Sequence, residues 1–504
     1  MLQPAHAHEP RWKLRARRAG RALVSGHAGV VLLIGAAALA IRLHRLGEES
    51  LWIDEAIAYG RARLSLDELL ADSIQRKHLP TYFLLLKATI LAGDTEVMLR
   101  LPSVLFGSAS VVLCYGLGAT LHGRLAGFTA AMLAMLSEAQ VYYAQEARMY
   151  ALLTMATSTA LLGTFYLVKH CDEAALAPRA LLRGEARAAR RAWIAVLLGT
   201  LLALFTHNTA PLFVLALNGG AAAGVLASGP RRAGFARNWL LCMAIVFALW
   251  SPWLPTLLRQ TEVVREVWRG HEPTFEWTRN VVLDLFALGR AGGPLAYAIF
   301  ACGLLSCWSL RREKRLLATA LLCTLLAPLL FYAVSQHVQI FDRRLLLWSA
   351  LPWFALVGAG LMALPRPLAA AGCAGLIALA APRLDAYYAA ETKPPWRALI
   401  QKLSDKTGED AVILNARADR FLYYYYKRRD DRLPRRKAIR VHNHARPLAA
   451  YVDAAAVQEF YVIGQPSARA YDELSRAIRA DGRYKRSKIW RKGDAALVRY
   501  RRKR

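Results

Sequence analysis

The chain has 504 residues, of which 56% are apolar and 20% charged, and its mean hydropathy is +0.23. This balance is too apolar for an ordinary soluble enzyme and too charged for a bare helix bundle in lipid. It therefore predicts a polytopic membrane protein that carries a soluble part. The 67 Lys and Arg residues exceed the 36 Asp and Glu residues by 31. Because the basic residues are scattered among apolar runs, we expect them to set topology and attract anionic lipid, and we expect no nucleic-acid partner.

Apolar runs of about 20 residues can cross a bilayer as helices. We predict about eleven spans, which make up a transmembrane part over 23–384. They are 22–41, 101–121, 125–143, 147–168, 193–206, 211–228, a seventh ending at 250, an eighth ending before 311, and then 316–337, 345–365 and 368–384. The basic residues of 1–22 predict a cytoplasmic N-terminus, and the basic loop at 169–192 falls on the same side. A cleaved signal peptide is the alternative for the first run, but the many later spans favour an uncleaved helix.

The first outer loop, 44–100, lies on the opposite side of the membrane in this topology. It contains an apolar run at 79–92 that is too short for a span and is typical of an interfacial or re-entrant helix. The last span delivers residues 385–504 to the same outer side. There we predict a small α/β domain with helices at 397–406 and 472–480 and strands at 410–414, 459–463 and 495–500. Its 29 Lys and Arg against 14 Asp and Glu leave it basic by 15 charges.

Acidic and basic side chains recur at the outer ends of the predicted spans. They form four clusters: Asp54-Glu55, His78 with Pro80, Glu146 with Arg148 and Tyr150, and Arg343-Arg344. Ionisable groups at membrane depth are costly and usually face a cavity. Arginine grips a phosphate through parallel donors, and a carboxylate can take a proton from an attacking hydroxyl. The pattern therefore predicts an outward-facing pocket for displacement at a sugar carbon, with a lipid phosphate as the leaving group.

Several of these side chains also have a structural explanation. Asp54 and Glu55 are typical of the first turn of a helix beside an interfacial tryptophan. Glu146 and Arg148 would suit the cap of a span, and Arg100 would suit a side chain that reaches along a helix to the interface. The coincidence of acids and arginines on one face favours function for Asp54, Glu146 and Arg148.

Four motifs occur in an order and spacing that resemble a known family. They are Leu51-Trp52-Ile53-Asp54-Glu55-Ala56, His78-Leu79-Pro80-Thr81-Tyr82-Phe83, Arg100-Leu101-Pro102-Ser103 and Tyr143-Ala144-Gln145-Glu146-Ala147-Arg148-Met149-Tyr150. The chain resembles the bacterial membrane glycosyltransferases of the GT-C fold, in the branch similar to protein O-mannosyltransferases and the aminoarabinose transferase of lipid A. The likeness is clearest over 40–170 and resumes at 341–345 and 395–397.

The resemblance implies a role for each matching residue. Asp54 would be the base or an essential acid of the active site, with Glu55 beside it as a second catalytic candidate. Glu146 would be a further catalytic acid that orients a substrate. The substrate-binding residues would be His78, Arg100, Arg148, Tyr150 and Arg343. Arg148 and Arg343 would hold the lipid phosphate, while Arg344 stands where the family often has Tyr, and Leu79 replaces one proline of a His-Pro-Pro motif.

The resemblance further implies an inverting, mannosyltransferase-like glycosyltransferase that uses a polyprenyl-phosphate sugar donor. The acceptor would be a lipid, glycan or protein hydroxyl at the periplasmic face of the bacterial inner membrane. The absence of a Gly-rich phosphate loop fits a donor that is not a nucleotide sugar. Metal use varies among relatives and no cysteine spacing marks a metal site, so a divalent metal stays open. The alternatives are a transporter or flippase for lipid-linked substrates and a non-catalytic anchor for the C-terminal domain.

Overall fold

The computed structural model describes residues 27–75, 78–226, 232–267, 273–288, 293–407, 411–416, 420–427, 439–440, 448–452 and 457–503. Helices α1 to α8 are His27–Leu43, Ile53–Ala62, Leu66–Gln75, Thr81–Ile90, Glu96–His122, Arg124–Leu136, Glu138–Ala144 and Tyr150–Lys169. Helices α9 to α16 are Cys171–Ala174, Pro178–Arg183, Arg187–Thr206, Ala210–Leu226, Arg232–Trp250, Leu254–Val267, Phe275–Phe286 and Pro294–Ser309. Helices α17 to α23 are Lys314–Ser335, Arg343–Leu346, Ala350–Leu361, Arg366–Ala389, Trp396–Lys406, Arg420–Lys427 and Arg469–Asp481.

Within the described ranges, seven helical stretches are long and apolar enough to cross a membrane. They are Glu96–His122, Tyr150–Lys169, Arg187–Thr206, Arg232–Glu262, Lys314–Ser335, Arg343–Leu361 and Arg366–Ala389. Five shorter apolar helices accompany them: Ala28–Leu43, Thr81–Ile90, Arg124–Leu136, Ala210–Leu226 and Pro294–Ser309. The chain is therefore a multi-pass membrane protein. The count of eleven spans stays a prediction, and the basic N-terminus at 1–22 lies outside the described residues.

Two of the predicted spans end at different points in the structure: one is interrupted and one is extended. The span at 125–143 is divided into α6 and α7 because Ser137 leaves the helical conformation and its hydroxyl accepts a hydrogen bond from the Gln140 N–H. The sequence predicts that prolines stop the seventh span at 250–255. The helical path instead continues through a 3-10 turn, Ser251–Trp253, into α14. Proline is tolerated in the first turn of a helical segment, because its missing N–H would have no partner there.

Helix α19 is the centre of the helical part, and all 12 of its residues are buried. It packs against α5, α6 and α16. A Cβ atom on Gly358 would stand 2.2 Å from the Ala126 carbonyl oxygen, and one on Gly360 would stand 1.7 Å from that of Cys302. Glycine at these two positions allows the close backbone approach by which membrane helices pack. The short helix α18, which carries Arg343, immediately precedes this rigid core.

The strands are β1 Val412–Ala416, β2 Ile439–Arg440, β3 Glu459–Gly464, β4 Tyr484–Lys492 and β5 Ala495–Arg502. They form one sheet in the order β2-β1-β3-β5-β4, in which β1 is parallel to β2 and β3 while β5 is antiparallel to β3 and β4. The predicted strands and helices correspond to β1, β3, β5, α21 and α23. The sequence prediction missed β4 because five of its nine residues are Lys or Arg, and an exposed edge strand lacks the apolar alternation that marks a strand.

Helix α22 packs against the first outer loop and holds the start of α2 in place. The Tyr426 hydroxyl accepts a hydrogen bond from the Leu51 N–H at 2.7 Å. The rings of Tyr425 and Tyr59 meet edge to face with 5.0 Å between their centroids. The loop that carries the acid pair is thus fixed by the C-terminal part of the chain as well as by the helices.

Candidate active site

The acid pair lies in the first turn of α2. Trp52 precedes the helix with an extended backbone, and Asp54 and Glu55 follow where the helix dipole stabilises negative charge. Successive residues of an α-helix point about 100° apart, so the two carboxylates enter different surroundings. The Glu55 side chain is fully buried, whereas that of Asp54 is 27% exposed.

Glu55 is the centre of a group that we call the Glu55 cluster, formed by Glu55, Arg100 and Lys393. Arg100 donates from Nε to Oε1 at 2.8 Å and from Nη2 to Oε2 at 2.9 Å, and Lys393 Nζ lies 3.2 Å from Oε2. The backbone N–H of Ala147 donates to Oε1 at 3.0 Å. Burial by itself would raise the pKa of Glu55, but the charges of Arg100 and Lys393 and the hydrogen bonds from Arg100 and Ala147 lower it to about 2.

Arg100 uses every donor that it has. Besides its two bonds to Glu55, it donates to the carbonyl oxygens of Leu46 at 2.7 Å, Glu49 at 3.0 Å and Ser50 at 3.0 Å. A guanidinium has five N–H donors, so none is left for a substrate. The geometry favours a structural role for Arg100 and Glu55 over the substrate-binding and catalytic roles that the resemblance implies for them.

Glu146 is a second buried acid, in a different electrostatic environment. Its side chain is 0% exposed, and neither carboxylate oxygen makes a hydrogen bond of ordinary geometry within the described residues, although the Tyr142 hydroxyl faces it. Burial raises the pKa of Glu146 from 4.5 to about 7; the charge of Lys393 opposes this rise, and that of Glu55 adds to it. An acid that titrates near neutral pH can change its protonation state under working conditions.

Asp54 belongs to a second group, the Asp54 cluster, formed by Asp54, Arg148, Tyr150 and Arg344. Asp54 Oδ2 lies 3.9 Å from Arg148 Nη2 and 3.7 Å from Arg344 Nη1. Both guanidinium groups lie over the Tyr150 ring, at 5.7 Å and 5.8 Å from its centroid. Arg148 is buried and its Nε has no partner within the described ranges. These separations exceed a normal hydrogen bond, so donors remain for an anionic ligand.

Arg343 does not point toward Asp54. Its Nη1 lies 2.9 Å from Asp284 Oδ2, and its Nε donates to the Tyr143 hydroxyl at 3.1 Å. Neighbouring residues of a helix face different directions, so only one arginine of the pair can reach the acid pair. That residue is Arg344, to which the sequence analysis assigned no role. The phosphate-binding role implied for Arg343 is therefore better carried by Arg344.

Two histidines complete the description. His207 lies beside Tyr150, with 6.2 Å between their ring centroids, and its Nδ1 is 2.9 Å from the Thr209 hydroxyl. Burial, followed by the charges of Arg148 and Arg344, lowers the pKa of His207 to about 3, so its ring is neutral. In the sequence, only the position of His207 just after an apolar run indicated that it lies near the site. The structure places the His78 ring edge to face against Phe83, and its substrate-binding role stays a prediction.

The resemblance leaves a divalent metal open, so we tested whether the site could hold one. Within the described ranges, no three His, Cys, Asp or Glu side chains stand together as a metal site. Glu55, the acid nearest to Asp54 in the sequence, already binds two cations. The described residues of this site therefore do not fit a metal.

Two solved structures are similar to this fold over most of the chain. The crystal structure of ArnT from Cupriavidus metallidurans in the apo state matches 94% of this chain and 98% of its own, with a TM-score of 0.59 and 12% identity. The archaeal oligosaccharyltransferase AglB from Archaeoglobus fulgidus, in complex with an inhibitory peptide and a dolichol-phosphate, matches 93% of this chain and 74% of its own, with a TM-score of 0.51 and 12% identity. No protein-family model and no curated protein matches the sequence.

The fold and the site together define a membrane protein in which an acid at the start of α2 faces two arginines. ArnT and AglB both have the GT-C fold, and this chain has it too. The resemblance seen in the sequence motifs is thus confirmed for the fold.

Proposed function

We propose that the protein is an inverting glycosyltransferase that moves a sugar from a polyprenyl-phosphate donor to a hydroxyl of an envelope lipid, glycan or protein. The observation that carries this proposal is the Asp54 cluster: a partly exposed carboxylate faces two arginines, at 3.9 Å and 3.7 Å, and one of them, Arg148, keeps a buried donor without a partner in the described ranges. The fold supports it, because one similar structure is an oligosaccharyltransferase in complex with a dolichol-phosphate.

The proposed reaction is a single displacement at the anomeric carbon of the donor sugar. Asp54 accepts the proton of the acceptor hydroxyl while the hydroxyl oxygen forms a bond to the anomeric carbon. The bond between the anomeric carbon and the phosphate oxygen breaks on the opposite face, and its electron pair leaves with the polyprenyl phosphate. Because attack and departure occur on opposite faces, the configuration is inverted.

Arg148 and Arg344 stabilise the phosphate as its negative charge grows. Each offers a planar set of donors that matches two phosphate oxygens, and such charge-assisted bonds are about twice as strong as neutral ones. The neutral ring of His207 and the Tyr150 ring form the wall beside these arginines. A neutral histidine there leaves the positive charge to the arginines and can exchange hydrogen bonds with sugar hydroxyls.

Glu146 orients the sugar in this proposal. Its two unpaired oxygens can accept hydrogen bonds from sugar hydroxyls, which would satisfy a buried group that is otherwise costly. Glu55 and Arg100 hold the turn that carries Glu146, through the bond from Ala147 N–H to Glu55. They act on the substrate only through that turn.

We place the active site and residues 385–504 on the periplasmic side of the bacterial inner membrane, as the alternation of basic loops predicts. A flippase for the same lipid-linked substrate is the second candidate. The similar structures favour transfer over transport, because one is an oligosaccharyltransferase. Transport of a lipid phosphate also requires fewer groups than an acid paired with two arginines.

The test is sugar transfer by the purified protein in detergent, with labelled polyprenyl-phosphate sugars and, separately, labelled nucleotide sugars. Candidate acceptors come from mass spectrometry of envelope lipids, glycans and proteins with and without the protein. We expect transfer from the lipid donor and little from nucleotide sugars. Transfer from a nucleotide sugar alone would contradict the donor, and lipid movement across vesicles without any transfer would favour the flippase.

A further inference from the structure

Lys393 is a buried cation between α20 and α21 that no sequence motif marks. Its side chain is 4% exposed. Its Nζ lies 3.2 Å from Glu55 Oε2 and donates to the carbonyl oxygen of Gln145 at 3.2 Å. It also lies 5.9 Å from the centroid of the Tyr142 ring. A lysine is rarely buried unless it is paired, so the burial of Lys393 indicates that its charge has a role there.

Lys393 and Glu55 bond to the backbone on opposite sides of Glu146. The carbonyl oxygen of Gln145, just before Glu146, accepts from Lys393, and the N–H of Ala147, just after it, donates to Glu55. One ion pair therefore clamps the backbone on both sides of the buried acid. The clamp also joins three distant parts of the chain: the first outer loop, the turn at 145–149 and the start of the C-terminal part.

We propose that Lys393 is a positioning residue that holds Glu146 in place for the sugar. The part of this proposal that concerns the sugar rests on the proposed function. Its consequence is that the C-terminal part must dock, and bring Lys393 into the clamp, before the active site is complete.

The electrostatics agree with the geometry. The charge of Lys393 is the largest influence opposing the rise of the Glu146 pKa that burial causes. The other titratable groups that face Glu146 are Glu55, Tyr142, Arg148, Tyr82, Tyr143 and Tyr387. Lys393 itself is faced by Glu55, Arg100, Glu146 and Glu49. Removal of its charge leaves Glu146 with one fewer cation and the same neighbouring acid, so the pKa of Glu146 should rise further.

The experiment uses the full chain, purified in detergent, as Lys393→Met, Lys393→Arg and the matched control Lys402→Met. Lys402 is an exposed lysine on α21, the helix that follows Lys393. The first measurement is the unfolding temperature as a function of pH, which needs no activity. The second is the pH profile of sugar transfer.

The sign follows from the raised pKa of Glu146. In the wild type, the stability contributed by neutral Glu146 is present below pH 4.5 and lost as pH rises through about 7. In Lys393→Met this loss should extend upward by about one pH unit or more, because removing an opposite charge nearby shifts a pKa by that order. Lys393→Arg and Lys402→Met should keep the wild-type profile, and Glu146→Gln should abolish the loss.

An unfolding profile of Lys393→Met that runs parallel to the wild type at every pH would overturn the proposal and leave Lys393 as packing only. If Lys393→Met does not fold, Lys393→Gln keeps a donor for the Gln145 carbonyl without the charge and gives the same comparison. In transfer assays the acidic limb of the Lys393→Met profile should move by the same amount. A wild type that transfers no sugar would reject the proposed function, while the unfolding profiles would still decide the role of Lys393.

Discussion

The Glu55 cluster and the Asp54 cluster begin at adjacent residues and differ in how far their polar groups are satisfied. Glu55 has two cations within 3.2 Å, and Arg100 has used all its donors. Asp54 has two arginines at 3.7 Å and 3.9 Å, and one of them keeps a buried donor without a partner in the described ranges. A satisfied buried network makes a structure rigid, whereas unused buried donors indicate where a ligand binds.

Replacement of Asp54 by Asn should have the largest effect on activity. Asn keeps the size of the side chain but cannot accept a proton at neutral pH, and general-base catalysis contributes typically about 10²–10⁴-fold. We therefore expect turnover to fall by that order while the unfolding temperature changes little. Steady-state transfer and thermal unfolding of the same preparation check this. Turnover within a factor of two of the wild type would show that Asp54 is structural and erase the contrast between the clusters.

Arg100→Ala should break the Glu55 cluster by leaving a buried carboxylate with one cation fewer. Removal of one partner of a buried ion pair costs about 3–5 kcal/mol, so we expect a large loss of stability. The matched control is Arg397→Ala, whose partner Glu96 lies 2.7 Å away but whose side chain is 41% exposed. Such exposed pairs are worth about 0–1 kcal/mol. Equal losses in the two variants, measured by denaturant unfolding, would contradict the distinction.

The pH dependence of stability should show the effect of the ion pairs that hold Glu55. The pKa of Glu55 is lowered from 4.5 to about 2, so the stability it contributes is present above pH 4.5 and is lost as pH falls through 2. A shift of this size corresponds to something on the order of 3 kcal/mol. Glu55→Gln should therefore flatten the acid side of the stability profile. Unfolding free energies between pH 5 and pH 2 provide the measurement.

Lysine replacements should rank the three arginines of the site. Arg148→Lys and Arg344→Lys keep a charge but lose the planar donor set, and a charge-assisted bond is worth about 1.5–3 kcal/mol. We expect transfer from the lipid donor to fall roughly tenfold to a hundredfold. Arg343→Lys is the control, because Arg343 is engaged by Asp284 and Tyr143. A stronger effect of Arg343→Lys than of Arg344→Lys would return the phosphate site to Arg343.

The sequence was informative where local pattern decides the outcome. The motifs at 51–56 and 143–150 predicted that Asp54, Arg148 and Tyr150 share one site, and the structure places the three side chains together. The apolar runs marked most of the helices. The prediction failed where the pattern has no periodicity of its own, as in the lysine-rich edge strand β4. The sequence assigned the phosphate to Arg343, whereas in the structure Arg344 is the one that faces Asp54, because residues one apart in a helix carry the same composition signal and face different directions.

The sequence by itself determined that this is a multi-pass membrane protein with an acid pair after its first apolar helix, and its motifs indicated the GT-C fold through their resemblance to a known family. Hydrophobic length and the order of motifs are local properties, so they can be seen without a structure. Only the tertiary structure decided which acid is buried and paired with cations, and which acid faces a site with unused donors. That distinction depends on Arg100, Lys393 and Arg344, which are separated from the acid pair by 45 to 338 residues in the chain. Charge pairing and burial across such separations are properties of the packed fold, and no local pattern contains them.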